Sequence, residues 1–219
     1  MKNYKILVLL GIWTFYSCEK VEPLTESDID FFPLNINTYT VFKVTVLEHD
    51  AFMEKTDTVH YFIKETTQDT ILNNAGKLVY RTKIEESQND TNYTFIKYVI
   101  EERDNFSAQR VEDDNRKVKL SFPLVESKTW DANELNVNEY QSAKTTNINE
   151  PYMADNIEFT KTVIVDLGND IDPFFTTVEE EVYAKNIGLI NRIVKEIETQ
   201  PGKHKDGTEY EQTFYRTNK

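Results

Sequence analysis

The sequence predicts a mainly β protein: a single antiparallel curved sheet, shaped as a half-barrel or a calycin-like barrel, with few short helices. Two observations predict it. Twelve tyrosines and thirteen phenylalanines stand beside many threonines, valines and isoleucines, with only six glycines and six prolines, and aromatic and β-branched residues are those that fit a pleated, half-buried surface. Short runs of such residues also recur at regular spacing between turn-forming clusters, the pattern of a meander.

The elements follow in order. The domain is expected to begin at FFPLNINTYTVFKVTVL, where Pro33 holds its predecessor extended. A strand is expected over 39–47, a second over VHYFIKE (59–65), and a short third over QDTIL (68–72). Asn73-Asn74-Ala75-Gly76 is a turn. LVYRTKI (78–84) alternates and places Leu78, Tyr80 and Ile84 on one face, and YTFIKYVI (93–100) is strongly β. SAQRVE and RKVKLSF form a hairpin across Asp113-Asp114-Asn115. Residues 125–156 are mostly polar, with strand expected around 136–144 and loop elsewhere. IEFTKTVIVDL (157–167) alternates most cleanly, with Val163, Val165 and Leu167 on a dry face and Thr162 and Asp166 on a wet one. Residues 174–183 are ambiguous: Asp172-Pro173 could start a helix, and Phe174, Val178 and Val182 recur at helical spacing. GLINRIVKEI (188–197) and EYEQTFYR (209–216) read as two long strands joined by QPGKHKDG. This pattern suits a barrel, an open half-barrel and a twisted sandwich alike.

The N-terminus has a different character. Lys2 and Lys5 precede an apolar run over 6–15, which ends near Cys18, the single cysteine of the chain. Ten apolar residues are too few for a comfortable bilayer span and about right for the core of a signal peptide. Phe15 and Ser17 at −3 and −1 before Cys18 resemble a bacterial lipoprotein signal of the looser Bacteroidetes form. The resemblance implies cleavage after residue 17, a diacylglycerol on Cys18 Sγ, and acylation of the new amino group, with palmitate as the expected chain. Two or three chains anchor stably where one holds only marginally. The expected organisation is therefore a signal peptide over 1–17, a lipidated tether over 18–30 and one β domain over 31–219.

Three stretches, FFPLNINTYTVFKV, SFPLVESKTW and EEEVYAKNIGLINRIVKEIE, together resemble uncharacterised lipoproteins of Bacteroidetes that open with a YPL…G…W.Y pattern and carry EVYAKNVGLV. Asn37 and Tyr39 stand where glycine and tryptophan are frequent. The resemblance implies an antiparallel β domain of the cell envelope, lipid-anchored to the outer membrane on its periplasmic side or at the cell surface. It also implies a strand near Glu181–Tyr183. Independently of it, Asn186 and Gly188 mark a bend.

Chemistry is sparse. The net charge of −13 becomes two units more negative without Lys2 and Lys5, which disfavours nucleic acid as a partner. His49, His60 and His204 stand in no zinc spacing. Glycine-rich phosphate loops and GxSxG elbows are missing from the sequence, and no catalytic residue or cofactor is expected. Neighbouring carboxylates in Glu179-Glu180-Glu181 and Asp113-Asp114 point to opposite sides of a strand, so they read as a solvated acidic face and not as a glycosidase pair. Asp166, Asn169, Asp170 and Asp172 in DLGNDIDP are candidate calcium ligands, against the alternative of an Asx-rich turn. Thr58 and Thr70 sit in Asp-Thr-aliphatic triplets resembling the O-glycosylation sites of exported Bacteroidetes proteins. Trp130, Tyr140 and Tyr152 are the candidate contacts for a ligand or partner. The expected function is a tethered, non-enzymatic binding or carrier domain in the periplasm or at the cell surface, its ligand unidentified and a small apolar molecule one candidate. The alternatives are an assembly partner of an outer-membrane protein and a glycan-acting enzyme. The bilayer is engaged through acylated Cys18.

Overall fold

The computed structural model describes residues 28–219; the segments expected to form a signal peptide and most of a tether, with Cys18, lie outside the described residues. The chain forms one antiparallel sheet of twelve strands, nearly closed into a barrel, with almost no helix. The strands are β1 (Thr38–Asp50), β2 (Lys55–Leu72), β3 (Leu78–Ser87), β4 (Thr94–Arg103), β5 (Ser107–Glu112), β6 (Asn115–Ser121), β7 (Thr129–Asp131), β8 (Ser142–Ala154), β9 (Ile157–Ile171), β10 (Phe175–Ala184), β11 (Gly188–Glu198) and β12 (Asp206–Thr217). Each strand pairs with its sequence neighbour, and β12 returns to β1. The two remaining edges, β6 and β7, meet at a seam.

The seam is narrow. Val118 N donates to Ala132 O at 2.9 Å, Trp130 Nε1 to Val118 O at 3.1 Å, and Asn136 Nδ2 to Arg116 O at 2.7 Å. These bonds occupy backbone groups that an open edge would otherwise offer to another chain.

Bulges provide the curvature. Register shifts interrupt the ladders of β2 with β3, β3 with β4, β5 with β6, β8 with β9, β9 with β10, β10 with β11 and β12 with β1. An extra residue bends its strand and increases local twist, which is what a long meander needs to curl on itself. One of these shifts explains a misreading. The expected separate strands at 59–65 and 68–72 are one strand, β2, and Gln68 is the residue skipped in its pairing with β3. The expected strand at 136–144 lies later, as β8, where Pro151 is tolerated among three register breaks. The 174–183 segment is β10, extended from Phe175 onward, because both its neighbours supply ladders that override the helical spacing. The Asp113–Asp114 turn has φ of 49° and 61°, as a tight two-residue hairpin of these twisted strands requires.

The main core joins Phe31, Leu120, Trp130, Val163, Val165 and Tyr183 with smaller residues from β5 and β8. A second cluster gathers Ala154, Val182, Ala184, Ile190 and Phe214. Phe159 meets Phe214 edge-on at 5.1 Å, and Asp155 at the β8–β9 turn reaches Lys43 on β1 at 2.8 Å. The β8–β9 hairpin end thus folds across β10, β11 and β12.

Residues 28–34 cap one end of the barrel. Ile29–Phe31 is a single 3-10 turn. Arg103 on β4 donates to Ile29 O at 2.5 Å and Phe32 O at 2.8 Å, Asn186 N to Asp30 O at 2.8 Å, and Leu124 N to the Asp28 carboxylate at 3.2 Å. Residues on both sides of position 31 are thus bonded to the barrel. Arg103→Met removes both charge-assisted bonds and is expected to cost about 2 kcal/mol. The check is hydrogen exchange, which should accelerate at the Phe31 and Phe32 amides before any strand amide.

Candidate functional site

The barrel interior is not filled by apolar side chains. Between the capping segment and the middle of the strands lies a cavity of about 90 Å³. Its walls carry Glu65, Glu101, Arg110, Glu112, Lys119, Glu181 and Arg192, with Lys219 at the rim. Exposed Lys219 marks where the cavity reaches solvent, and its Nζ donates to Ile187 O at 2.5 Å. Phe32, Pro33 and Leu34 of the cap close the same end.

Ladder register brings these charges together. Arg110 stands opposite Glu101 on the β4–β5 ladder. Its guanidinium forks onto Glu65 of β2 at 2.9 and 3.1 Å, reaches Glu101 at 3.1 Å, and lies 3.3 Å from Glu112. Thr82 Oγ1 donates to the other Glu101 oxygen at 2.7 Å. Arg110 thus ties β2 to β5 through the interior, with its donors matched to carboxylate geometry.

A second group spans the barrel from β6 to β10. Lys119 Nζ meets Glu181 Oε1 at 2.5 Å, and Tyr183 OH donates to Glu181 Oε2 at 2.5 Å. Glu181 is 1% exposed. Burial pushes its carboxyl up, but Lys119, Arg192 and the Tyr183 hydroxyl together outweigh burial and hold it down at about 2. Burial also raises the Tyr183 phenol well above its ordinary value, so it remains a neutral donor. Arg192 stands opposite Glu181 on the β10–β11 ladder. Its Nη2 reaches Glu179 at 3.4 Å. Above it, Lys117 donates to Gln141 Oε1 at 2.9 Å, and Gln141 donates to Glu179 at 2.7 Å.

Lys119 reaches the interior through a bulge. Ala108 opposes Leu120, but Gln109 opposes Val118, so Lys119 is skipped in the β5–β6 pairing. Simple alternation along RKVKLSF puts Lys117 and Lys119 on a wet face. The skipped position re-aims the side chain. The expected solvated face of Glu179-Glu180-Glu181 is corrected as well: Glu181 is buried against Lys119, and Glu180 is half-buried with its carboxyl raised by burial and by Asp166. The sequence carries only a weak signal for these residues, a charge set close to apolar neighbours, as Arg192 is beside Ile190, Ile193 and Val194 in GLINRIVKEI.

The residues singled out from the sequence are not brought together. Trp130 is buried at the seam. Tyr152 packs against the second cluster, and Tyr140 is exposed. Asp166, Asn169 and Asp170 lie along β9, while Asp172 accepts from the amides of Phe174 and Phe175 at the following turn. Among the described residues, no group of three His, Cys, Asp or Glu side chains is placed to hold a metal. Thr58 is exposed on β2 and Thr70 half-buried on the same strand. His49 Nδ1 and His204 Nε2 both meet the Thr56 hydroxyl, at 2.8 and 3.0 Å.

No protein-family model, curated protein or solved structure matches this chain. The chemistry of the cavity is therefore read from its own residues. No helix among the described residues is long and apolar enough to cross a membrane, which says nothing of strands.

Proposed function

We propose that this chain is a lipid-anchored, non-enzymatic binding protein of the cell envelope. Acylated Cys18 holds it to the outer membrane, and the barrel interior holds a small ligand. The resemblance to Bacteroidetes lipoproteins and the short apolar run before Cys18 support the anchor. The observation that carries the binding reading is the charged, unfilled cavity.

Buried charges are costly, and well-packed apolar residues in their place are often neutral or stabilising. A barrel selected for stability alone has little use for charged walls around a void, so the arrangement favours a site. Its small volume and polar walls suit a ligand of few atoms with a polar end, more than a wholly apolar one. Binding is favoured over catalysis because each wall carboxylate is tied to a lysine or arginine: Glu65, Glu101 and Glu112 to Arg110, and Glu181 to Lys119. A carboxylate so paired has little capacity as a base.

A second reading, an assembly partner of an outer-membrane protein, is favoured by Phe95, Ile96 and Tyr98. All three are exposed on β4, and the rings of Phe95 and Tyr98 lie 4.9 Å apart. Native mass spectrometry of purified residues 19–219, before and after organic extraction, separates the two. A reproducible bound small molecule is expected. Its repeated absence would sink the binding reading. Separately, Cys18→Ser in the full chain is expected to release the protein from membranes and abolish labelling by radioactive palmitate. Retention on membranes without label would refute the anchor.

A further inference from the structure

We infer that the cavity receives a small carboxylic acid with a short apolar tail, its carboxylate held between Nε of Arg192 and Nε2 of Gln212. The inference rests on the reading of the barrel interior as a ligand site and names the chemistry of what enters it.

Arg192 and Gln212 are direct partners on the β11–β12 ladder. Directly opposite side chains lie on one face, with Cβ atoms about 5 Å apart. Both residues line the cavity. Both carry a buried nitrogen without a hydrogen-bond partner, Arg192 Nε and Gln212 Nε2. Gln212 is 4% exposed. Its orientation is fixed from behind: Tyr210 OH donates to Gln212 Oε1 at 2.7 Å, which leaves the amide nitrogen free. Burial raises the Tyr210 phenol, so it stays a neutral hydroxyl able to donate. The closest ionic partner of Arg192 Nε, Glu181 Oε1, is 3.6 Å away, beyond hydrogen-bond reach.

Among the described residues, the other buried side-chain atoms without partners belong to residues outside the cavity wall. The unmet demand inside is therefore only for acceptors. Leaving buried donors unmet is costly, so something with lone pairs belongs there. An amine would find no free acceptor, because the wall carboxylates are already engaged by arginine and lysine. A carboxylate offers two oxygens to two adjacent donors, one of them on a guanidinium, the better match for this geometry. The charges lining the cavity also balance, four acidic against four basic. A single anion therefore meets no local excess of negative charge despite the acidic chain. Towards the capped end the wall turns apolar, with Phe32, Leu34, Ile187 and Leu189. A short tail would lie there. The volume limits the ligand: about 90 Å³ is space for roughly six waters when each needs about 15 Å³.

The probe is butyrate, added to ¹⁵N-labelled residues 19–219 while the side-chain resonances of Arg192 Nε–H and Gln212 Nε2–H₂ are followed by NMR. Both are expected to shift and saturate together, and butylamine at the same concentration to leave them in place. Gln212→Leu, which keeps the volume and the fold, should weaken butyrate binding about tenfold, as loss of one bond to a charged group implies. Gln212→Glu should abolish it, with an unchanged circular dichroism spectrum showing the barrel intact. Resonances that stay fixed with butyrate and show contacts only to long-lived water would overturn the inference. So would shifts confined to Lys219. If a ligand co-purifies in the native spectra while butyrate has no effect, the carboxylate assignment fails and the binding function stands.

Discussion

Glu181→Gln is expected to destabilise the barrel by about 3–5 kcal/mol, because removing one partner leaves the other charge buried and uncompensated. Lys119 would lose the only close carboxylate it has among the described residues, Glu181 Oε1 at 2.5 Å, while remaining 10% exposed at its side chain. Lys119→Met should cost less, since Glu181 keeps the Tyr183 hydroxyl and lies near Arg192. Lys119→Met combined with Glu181→Leu should recover much of the loss, because no unpaired charge remains. Urea unfolding followed by tryptophan fluorescence measures all three. Equal midpoints for Glu181→Gln and the parent chain would mean that the pair contributes nothing.

The same residue sets a pH dependence. The Glu181 carboxyl has an ordinary value of 4.5 and is held at about 2 in the fold. A depressed folded value contributes stability that is fully present above the unfolded value and lost as pH falls through the folded one. The window therefore runs from about pH 4.5 down to about pH 2. Within it the parent chain should lose on the order of 3 kcal/mol through this group. Glu181→Gln has no such group to protonate, so its stability should fall less steeply over that interval. Parallel slopes for the two proteins would place the carboxylate outside the ion pair.

The strands were legible in the sequence where local signals agree with tertiary ones, although their closure was not. The runs at 188–197 and 209–216 alternate, end in turn residues, and are β11 and β12. IEFTKTVIVDL is likewise β9, and its Val163, Val165 and Leu167 enter the main core. Legibility failed where a skipped residue splits a strand's pattern or re-aims a side chain. Gln68 makes one strand look like two, and the skipped Lys119 turns an outward lysine into an inward one. A bulge changes which face a side chain occupies without changing composition, so periodicity cannot report it. The cavity was hidden for the same reason. Its members come from nine strands that approach only once the sheet curls: Glu65 and Arg110 are three strands apart, and Lys119 and Glu181 meet through the interior. Polar β8 was missed because SAKTTNINEPYMA lacks the apolar alternation of a strand with one dry face; only Ala143, Thr145 and Ala154 on it are buried.

Trp130 holds the weakest join in this architecture, and Trp130→Ala is expected to cost about 3–5 kcal/mol, the range for emptying a large aromatic from a core. The ring is 8% exposed within the main core. Its Nε1 bonds Val118 O, on the far edge of the seam. β7 has only three residues, and its ladder with β8 is correspondingly short. Elsewhere around the barrel a lost side chain leaves a backbone ladder on each side. At the seam the backbone contribution among the described residues is a single bond, Val118 N to Ala132 O, so side chains carry the closure. Trp130→Phe should keep most of the apolar contact and lose about 1 kcal/mol for the missing hydrogen bond. Trp130→Ala should also part β6 from β7, exposing two edges able to pair with other chains. Hydrogen exchange is then expected to rise first over Asn115–Ser121, and light scattering to rise with protein concentration. A barrel whose seam amides stayed protected in Trp130→Ala, with its unfolding midpoint unmoved, would have to be closed by something other than this tryptophan.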